Sequence, residues 1–398
     1  MEMGAAHTGA GVCLRHQIRN AMNPYRTQDL LRVAKRVNNR RRQYLLVNPL
    51  QAKHVPVSPS AALRMMSALG DTVAAAYGET RLVIGFAETA TAVGAMVARS
   101  VSEDCVYLTT TRESVPGVHS WVFFSEEHSH ASEQKLAADR LEMYFRETDT
   151  IVFVDDEVST GKTLINMIRR LKSEFPIVSE KKIVAASIIN RLTRENAERW
   201  AAEGIQSVCL LQLPFSEYHS QTAEMRVSAA ERFFLQAAGC DADVSLMVRA
   251  LPDPRTGVAI GDYCAACADA AEELQNLAAL SGGSVLVLGT EECMLPALLI
   301  GAYLEQTGAV ESVFCHATTR SPIGVSAKQA YPIRSGWKIR SFYDPERETY
   351  LYNLRKYDAA VVVSDSGSSY DGALEDLCAL LGTQGCRRII CMVGEKHA

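Results

Sequence analysis

The sequence predicts an α/β protein in which a parallel-sheet domain is followed by a second, Rossmann-like α/β domain. Runs such as RLVIGF, TIVFVDD and AAVVVSD are apolar at nearly every position, and helix-length segments separate them. That is the pattern of a parallel sheet covered on both faces. The chain has 398 residues and 47% hydrophobic content, enough for two cores and more than one ordinary domain uses. Strand, loop and helix motifs of the first half also return in the second.

Charge and cysteine usage exclude several classes. Lys and Arg number 41 against 46 Asp and Glu, a net charge of −5 that advertises no nucleic-acid surface. The RRR run at 40–42 reads as a solvated face. Residues 1–25 form a loose leader without the apolar core of a secretion signal, and the best later apolar stretch, 295–304, is too short to span a bilayer. A soluble cytoplasmic protein with no membrane partner is expected. Most of the eleven cysteines, including Cys105, Cys209, Cys315 and Cys391, sit among apolar neighbours and read as buried thiols. Cys264 and Cys267 form the one close doublet, without a second doublet or nearby histidine to complete a zinc site.

In chain order, a basic helical stretch at 27–42 leads into YLLVNPL and the proline-broken HVPVSP. Ser58–Tyr77, opened by Ser-Pro and carrying Leu63, Met66, Leu69 and Val73 on one face, is a helix. Strands follow at 81–86, 105–110, 150–156, 182–189 and 207–213, with helices at 90–100, 131–146, 162–174 and near 193–202. Residues 216–280 carry weaker signals, including a helix at 218–238 and a turn-rich stretch at 252–263, and read as a linker region. The expected domains are therefore 26–215 and 281–398. The second contains strands at 284–289, 312–317, 359–365 and 387–394, helices at 294–305 and 371–381, and a hairpin across 322–352.

The two halves share sequence. LVIGFAET at 82–89 matches VLVLGTEE at 285–292, TTTRESVPG at 109–117 matches ATTRSPIG at 317–324, and VFVDDEVSTGKTL at 152–164 resembles VVVSDSGSSYDGAL at 361–374. One architecture, duplicated and diverged, explains the matches; two unrelated α/β domains with chance similarities are the alternative. The duplication requires Arg112 and Arg320 to fall on the same topological loop.

The strongest chemical signal is TIVFVDDEVSTGKTLINMI. A buried strand ends in two acids, and a short polar turn enters an apolar-periodic helix, placing polar groups where open parallel sheets bind ligands. Ser159, Thr160, Gly161, Lys162 and Thr163 offer backbone and hydroxyl donors to a phosphate at the positive end of the helix. Asp155 and Asp156 suit the vicinal hydroxyls of a ribose, and their charge suits a divalent cation carried by a diphosphate. A nucleotide-binding P-loop is disfavoured because Asp156 stands where such a loop needs glycine. A turn without ligand remains the plain alternative.

VFVDDEVSTGKT resembles the phosphoribosyl-diphosphate loop of type I phosphoribosyltransferases, particularly the orotate-like branch. ATTRSPI at 317–323 resembles the signature of the TRSP domain that follows a phosphoribosyltransferase-like domain in proteins associated with bacterial tellurite and stress-resistance gene clusters. The resemblance covers the chain from about Tyr44 to its end. It implies that Asp155 and Asp156 meet the ribose hydroxyls, largely through water or substrate where Mg2+ is concerned, and that Ser159 to Thr163 cradle the 5-phosphate. It also implies a homodimer. Family members have a small or apolar residue where this chain has Glu157, which is either an added acid or base or a solvent-facing side chain. The loop carrying Glu88 and Thr89 sits where the family binds diphosphate, and Glu88 suggests water-mediated metal contact or acceptor recognition.

Arg112 is expected to answer the diphosphate charge, with a surface salt bridge as its alternative. Glu127, His128 and His130 lie in the loop 121–135 that the family uses as a mobile hood; they are candidates for acceptor binding or proton transfer, or are surface residues. Lys53 and His54, held between prolines, are a candidate basic pair for acceptor or phosphate. In the second half, Glu291, Glu292, Thr319, Arg320, Ser321, Asp365, Ser366 and Gly367 fall after strands and suggest a second small-molecule site. Trp337 and Lys338 would cover its ligand, although Tyr350, Tyr352 and Leu354 alternate like a packed strand face.

The expected activity is Mg2+-dependent transfer of a phosphoribosyl group from phosphoribosyl diphosphate to an unidentified small-molecule acceptor. A non-catalytic sensor, and an enzyme whose second domain processes a ribosylated product, are the alternatives, and partner enzymes of the same pathway are possible partners. Retained binding residues are not themselves catalysis.

Overall fold

The computed structural model describes residues 24–37, 39, 42–124, 134–216, 218–233, 242–366 and 372–395. The chain begins with α1 (Thr27–Leu30), β1 (Arg32–Lys35), β2 (Tyr44–Val47) and the long α2 (Pro59–Tyr77). It continues through β3 (Leu82–Gly85), α3 (Thr91–Val101), β4 (Val106–Thr109), β5 (Trp121–Phe124), β6 (Gln134–Ala137), α4 (Leu141–Arg146), β7 (Thr150–Val158), α5 (Lys162–Glu174), β8 (Lys182–Asn190), α6 (Arg194–Ala202) and β9 (Ile205–Gln212). Then come α7 (His219–Ala223), β10 (Glu231–Arg232), β11 (Asp243–Val248), β12 (Val258–Ala259) and α8 (Ile260–Ala278). The last part holds β13 (Ser284–Gly289), α9 (Leu295–Thr307), β14 (Ser312–Ala317), β15 (Gly336–Arg340), β16 (Glu348–Tyr352), β17 (Ala359–Ser364), α10 (Ala373–Thr383) and β18 (Arg388–Val393).

Two sheets organise these elements. The first runs β12-β4-β3-β7-β8-β9 and the second β11-β18-β17-β13-β14. Every pairing in both is parallel except that of β12 with β4. The central strands are buried at nearly every position, as their apolar composition demands, because helices cover both faces. One apolar cluster passes from Leu69, Ile84 and Val97 through Leu274 and Leu298 to Cys315 and Val361, so the halves share a core. No helix among the described residues is long and apolar enough to cross a membrane.

The two sheets repeat one architecture. Read from β4 and from β14, the orders β4-β3-β7-β8 and β14-β13-β17-β18 are the same permutation; the fifth position is filled in the first sheet by β9, which follows β8 in the chain, and in the second by β11, which precedes β13. The register agrees residue by residue, since Gly85 pairs with Thr109 and Val154, and Gly289 with Ala317 and Val363. The strand-end turns also agree. Thr110 N donates to Gly85 O and Thr318 N to Gly289 O, both at 3.0 Å. Ala87 N donates to Thr110 Oγ1 and Glu291 N to Thr318 Oγ1, both at 2.9 Å. A hairpin follows in each half and bridges back at Thr111–Lys135 and Thr319–Tyr350. Arg112 and Arg320 thus occupy one topological loop. The register pairs Asp156 with Asp365 and Asp155 with Ser364, and Glu88 with Glu292.

Several elements differ from the sequence reading. The 27–42 stretch is helical only at Thr27–Leu30, because Arg32–Lys35 pairs antiparallel with β2 and buries Ala34. The helix expected at 131–146 is β6 followed by the six-residue α4. That expected at 218–238 is α7 and then a short strand on β15, with 234–241 outside the described residues. The stretch read as a linker supplies a strand to each sheet, β12 to the first and β11 to the second, and the nineteen-residue helix α8.

Candidate active site

The carboxyl end of β7 brings Asp155, Asp156 and Glu157 to one side of a cavity of about 500 Å³, within the range of small-molecule sites. Ser159, Thr160, Gly161 and Thr163 line the same cavity. Gly161, at φ 72°, turns the chain into α5, and Trp200 fills the space where a Cβ would sit, 2.3 Å from its Nε1. The Trp200 indole also donates to Gly161 O at 3.3 Å, fixing the loop from behind. The apolar face of α5, with Leu164, Ile165, Ile168 and Leu171 buried, anchors the helix so that its positive end meets the cavity.

The acids differ in environment. Asp155 and Asp156 are half-buried; Asp156 accepts from Thr89 Oγ1 at 2.7 Å, and its backbone N–H donates to Asp155 Oδ1 at 2.9 Å. Glu157 lies between Arg42 (2.6 Å) and the fully buried Arg191 (2.7 Å). Burial opposes its ionisation, but the two guanidiniums more than offset this and hold its carboxyl below the ordinary value. Glu157 is therefore not the solvent-facing side chain of the plain alternative: it lines the cavity with its carboxylate held by two arginines. Arg191 is itself packed against Tyr44, Phe215 and Tyr218, whose ring centroids lie 5.2 to 5.6 Å from its guanidinium carbon.

The opposite wall comes from the second half, through Arg320, Ser321, Pro322, Arg347 and Glu348. Arg320 reaches across to Glu88 (2.7 Å) and Glu113 (2.9 Å) and also pairs with Glu292 of its own half (2.9 Å). The other Glu88 oxygen pairs with Lys53 Nζ at 2.5 Å, and that ammonium also donates to Glu291 O at 2.6 Å. Arg347 joins Glu113 (2.8 Å) to Glu291 (2.9 Å). Glu88 ionises well below the ordinary carboxylate range because Lys53 and Arg320 overcome the penalty of its burial. Lys53 and the four glutamates are buried and the two arginines half-buried, which makes the contact between halves costly to open.

Residues 30–214 match the family model described as phosphoribosyl transferase, and residues 254–381 match that described as TRSP domain C terminus to PRTase_2. The first half of the chain is thus phosphoribosyltransferase-like, and the second is similar to a TRSP domain. Among solved structures it is similar to the adenine phosphoribosyltransferase of Trypanosoma brucei (13% identity, 50% of this chain and 79% of that one, TM-score 0.30). It is also similar to the adenine enzyme of Giardia lamblia (14%, 47% and 96%, TM-score 0.32) and the orotate phosphoribosyltransferase of Aeropyrum pernix (17%, 50% and 92%, TM-score 0.30). No curated protein matches the chain.

The phosphoribosyltransferase-like half brings together most of the expected residues. Asp155, Asp156, Thr89, Ser159, Thr160, Gly161, Thr163, Glu88, Arg112 and His54 all line the cavity. Lys162 is the exposed first residue of α5 and stays outside it. Lys53 is a correction: it is wholly buried and engaged by Glu88 and Glu291, so it does not face ligand. The Glu88 carboxylate also lines the cavity, with one oxygen paired to Lys53 and the other to Arg320. His54 is buried with neither ring nitrogen bonded, and burial, followed by the charge of Lys53, pushes its pKa down to about 3. Glu127, His128 and His130 lie outside the described residues.

Among the described residues, those expected to form a second site in the TRSP half do not converge on one cavity. Arg320 and Ser321 face the first cavity, while Glu291 and Glu292 are buried between the halves. Thr319 is buried beneath the hairpin, accepting from Thr349. Trp337 and Lys338 pair with Glu231 and Arg232 in a sheet, Trp337 packs edge-on against Phe233, and Lys338 bonds Glu348 at 3.4 Å. Tyr350 and Tyr352 stack on one face of β16, the packing alternative for that strand. Asp365 is held by Arg255 (2.9 Å) and by the Tyr343 hydroxyl, and Ser366 donates to Phe342 O at 2.8 Å. Gly367 lies outside the described residues. Cys264 and Cys267 are free thiols on α8, pushed up by burial. Arg42, read as part of a solvated face, instead lines the cavity and pairs with Glu157, and sequence reasoning missed Arg191 and Trp200, whose partners are likewise remote in the chain.

Proposed function

We propose that the chain transfers the 5-phosphoribosyl group of phosphoribosyl diphosphate to a small-molecule acceptor, releasing diphosphate. The family match supports phosphoribosyl transfer in general. The observation that carries the reading is the convergence of Asp155, Asp156 and the loop 159–163 on one cavity. In this reading the two carboxylates accept the ribose 2- and 3-hydroxyls. The backbone N–H groups of the loop, at the positive end of α5, hold the 5-phosphate. Arg112, in the wall, answers the diphosphate as its negative charge grows and the bond to ribose C1 breaks. The acceptor nitrogen then donates its electron pair to C1. The chain's work is orientation and charge complementarity, with Phe86, Leu45 and Leu46 limiting water at the reacting carbon.

The donor set fits Mg2+, since Asp155 and Asp156 are half-buried carboxylates on the cavity wall. No group of three or more acids, histidines or cysteines is arranged to hold a metal ion among the described residues, so these two acids would hold the ion with substrate oxygens and water. When bound, it would neutralise part of the diphosphate charge. The test is phosphorus NMR of the protein with phosphoribosyl diphosphate, Mg2+ and a protein-free small-molecule extract. Diphosphate release that needs the extract and disappears in Asp155→Ala/Asp156→Ala is expected; binding without release under any extract overturns the transferase.

A further inference from the structure

The halves meet through contacts that come in equivalent pairs. Val57, just before α2, bridges antiparallel to Cys315 of β14. Val258, just before α8, pairs antiparallel with Tyr107 of β4. α2 and α8 are equivalent helices preceding β3 and β13, and by the strand register Cys315 is the counterpart of Tyr107. Each half thus lays its pre-helix segment on the edge strand of the other. The helices repeat the exchange, α2 packing on α9 and α8 on α3. So do the acids: Glu88 of the first half takes the Arg320 guanidinium, and its counterpart Glu292 accepts from Thr111 Oγ1 at 2.7 Å and from Arg112 N at 3.5 Å. A contact i to j′ matched by i′ to j is the mark of an isologous interface, normally made by two copies of one chain.

The exchange is unequal at the site. Arg112 and Arg320 are counterparts, yet both line the cavity of the first half. The second-half counterparts of the acid pair are Ser364, which is buried and carries no charge, and Asp365, which is closed by Arg255 and Tyr343. From this we infer that the TRSP half is an in-chain partner subunit. It stands where a second copy would stand in a two-fold dimer, has lost the site of its own, and completes the acceptor end of the first half's cavity with Ser321, Pro322, Arg347 and Glu348. Arg320 is a positioning residue, holding the Ala87–Thr89 loop through Glu88. The catalytic unit is one chain with one site, in place of the homodimer the family resemblance implied.

This inference rests on the transferase reading and is tested so that the two fail separately. Ser321→Phe fills the wall supplied by the second half, away from the loop 159–163. Binding of phosphoribosyl diphosphate with Mg2+ is measured by calorimetry, and diphosphate release is followed against dilutions of the small-molecule extract. The expected result is an affinity for phosphoribosyl diphosphate within about twofold of wild type, while the half-saturating extract concentration rises at least about tenfold. Unchanged release by Ser321→Phe, with binding intact, overturns the in-chain partner alone. Absence of binding by the wild type removes the transferase reading beneath it. Arg320→Ala leaves buried carboxylates uncompensated and serves only beside Arg320→Lys, whose expected signature is weaker phosphoribosyl diphosphate binding at an unchanged melting temperature. Sedimentation velocity at assay concentration is expected to give one chain per active particle; activity confined to a dimer overturns the proposal.

Discussion

The two halves put the same frame to different uses. Both carry a parallel sheet of one strand order, a glycine-ended central strand, a Thr-Thr-Arg loop and a strand-to-helix turn behind it. In the phosphoribosyltransferase-like half that turn leaves two acids half-buried on a cavity and points a helix N-terminus at them. In the TRSP half the acid position is Ser364–Asp365, Asp365 is bonded to Arg255 and Tyr343, and Ser366 is tied to backbone. Burial raises the Asp365 carboxyl above its ordinary value, with Arg255 opposing. A shared fold therefore fixes where a site would stand, and the strand-end side chains decide whether it binds or packs.

The largest expected effect tests that division directly. Asp155→Ala/Asp156→Ala should lower diphosphate release at least about 1,000-fold, since charge-complementary groups at a reacting centre are each worth about 10²–10³. The counterpart change Ser364→Ala should leave release within about twofold. Equal losses in both proteins would break the comparison. Next in size is Asp365→Asn, which takes a charge partner from a buried guanidinium and should cost about 2 kcal/mol of stability. Denaturant unfolding reads that cost, and the folded protein should turn over as before; a selective loss of turnover at unchanged stability would give the TRSP half a chemical role after all.

A finer contrast lies in the two glycines that cap the equivalent helices. Gly161 precedes α5 at φ 72°, and Gly372 precedes α10 at φ 88°. Alanine at either position should cost about 1 kcal/mol for the left-handed backbone. At Gly161 the new Cβ also meets the buried Trp200 ring at 2.3 Å, whereas at Gly372 it meets the end of the flexible Arg340 side chain at 1.9 Å. Gly161→Ala should therefore weaken phosphoribosyl diphosphate binding about tenfold, while Gly372→Ala leaves it unchanged, as calorimetry would show.

How much of this was legible follows from the distance over which each feature is determined. The strands and the helices behind them declare themselves through local apolar pattern, and the acid pair with its turn is one continuous stretch. The 131–146 helix failed because Leu136, Leu141, Tyr144 and Phe145 are apolar at spacings a helix also uses, while pairing with β5 sets Gln134–Ala137 as strand. The ionic cluster left no local trace. Lys53 bonds Glu291, and Glu88 bonds Arg320, across more than two hundred residues. Glu291, Glu292 and Arg320 sit after strands, where ligand residues sit, so an interface and a second site look alike until the halves are docked. Arg191 and Trp200 support the loop from segments that carry no motif.

The smallest effect concerns pH at the boundary, where two buried histidines, one from each half, and a buried acid of the second half contribute opposite signs. His54 of the first half has its pKa pushed down to about 3 by burial and by Lys53, and His316 of the second down to about 4 by burial. Each stays neutral when folded but protonates below about 6.5 when unfolded, so each favours unfolding as pH falls through that value. Glu291 is pushed up to about 7 by burial, against the pull of Arg320 and Arg347. Its contribution is complete below the unfolded value of 4.5 and is lost as pH rises through about 7. Between pH 7.5 and 5.5 a buried neutral histidine loses about 1 kcal/mol, and Glu291 returns a similar amount. His54→Asn should then keep more of its stability on acidification than the wild type, and Glu291→Gln should keep less. Chemical denaturation at the two pH values measures both slopes. Parallel slopes in the wild type and both variants would mean that His54 and Glu291 titrate alike in the folded and unfolded chain, and that the boundary is open to water.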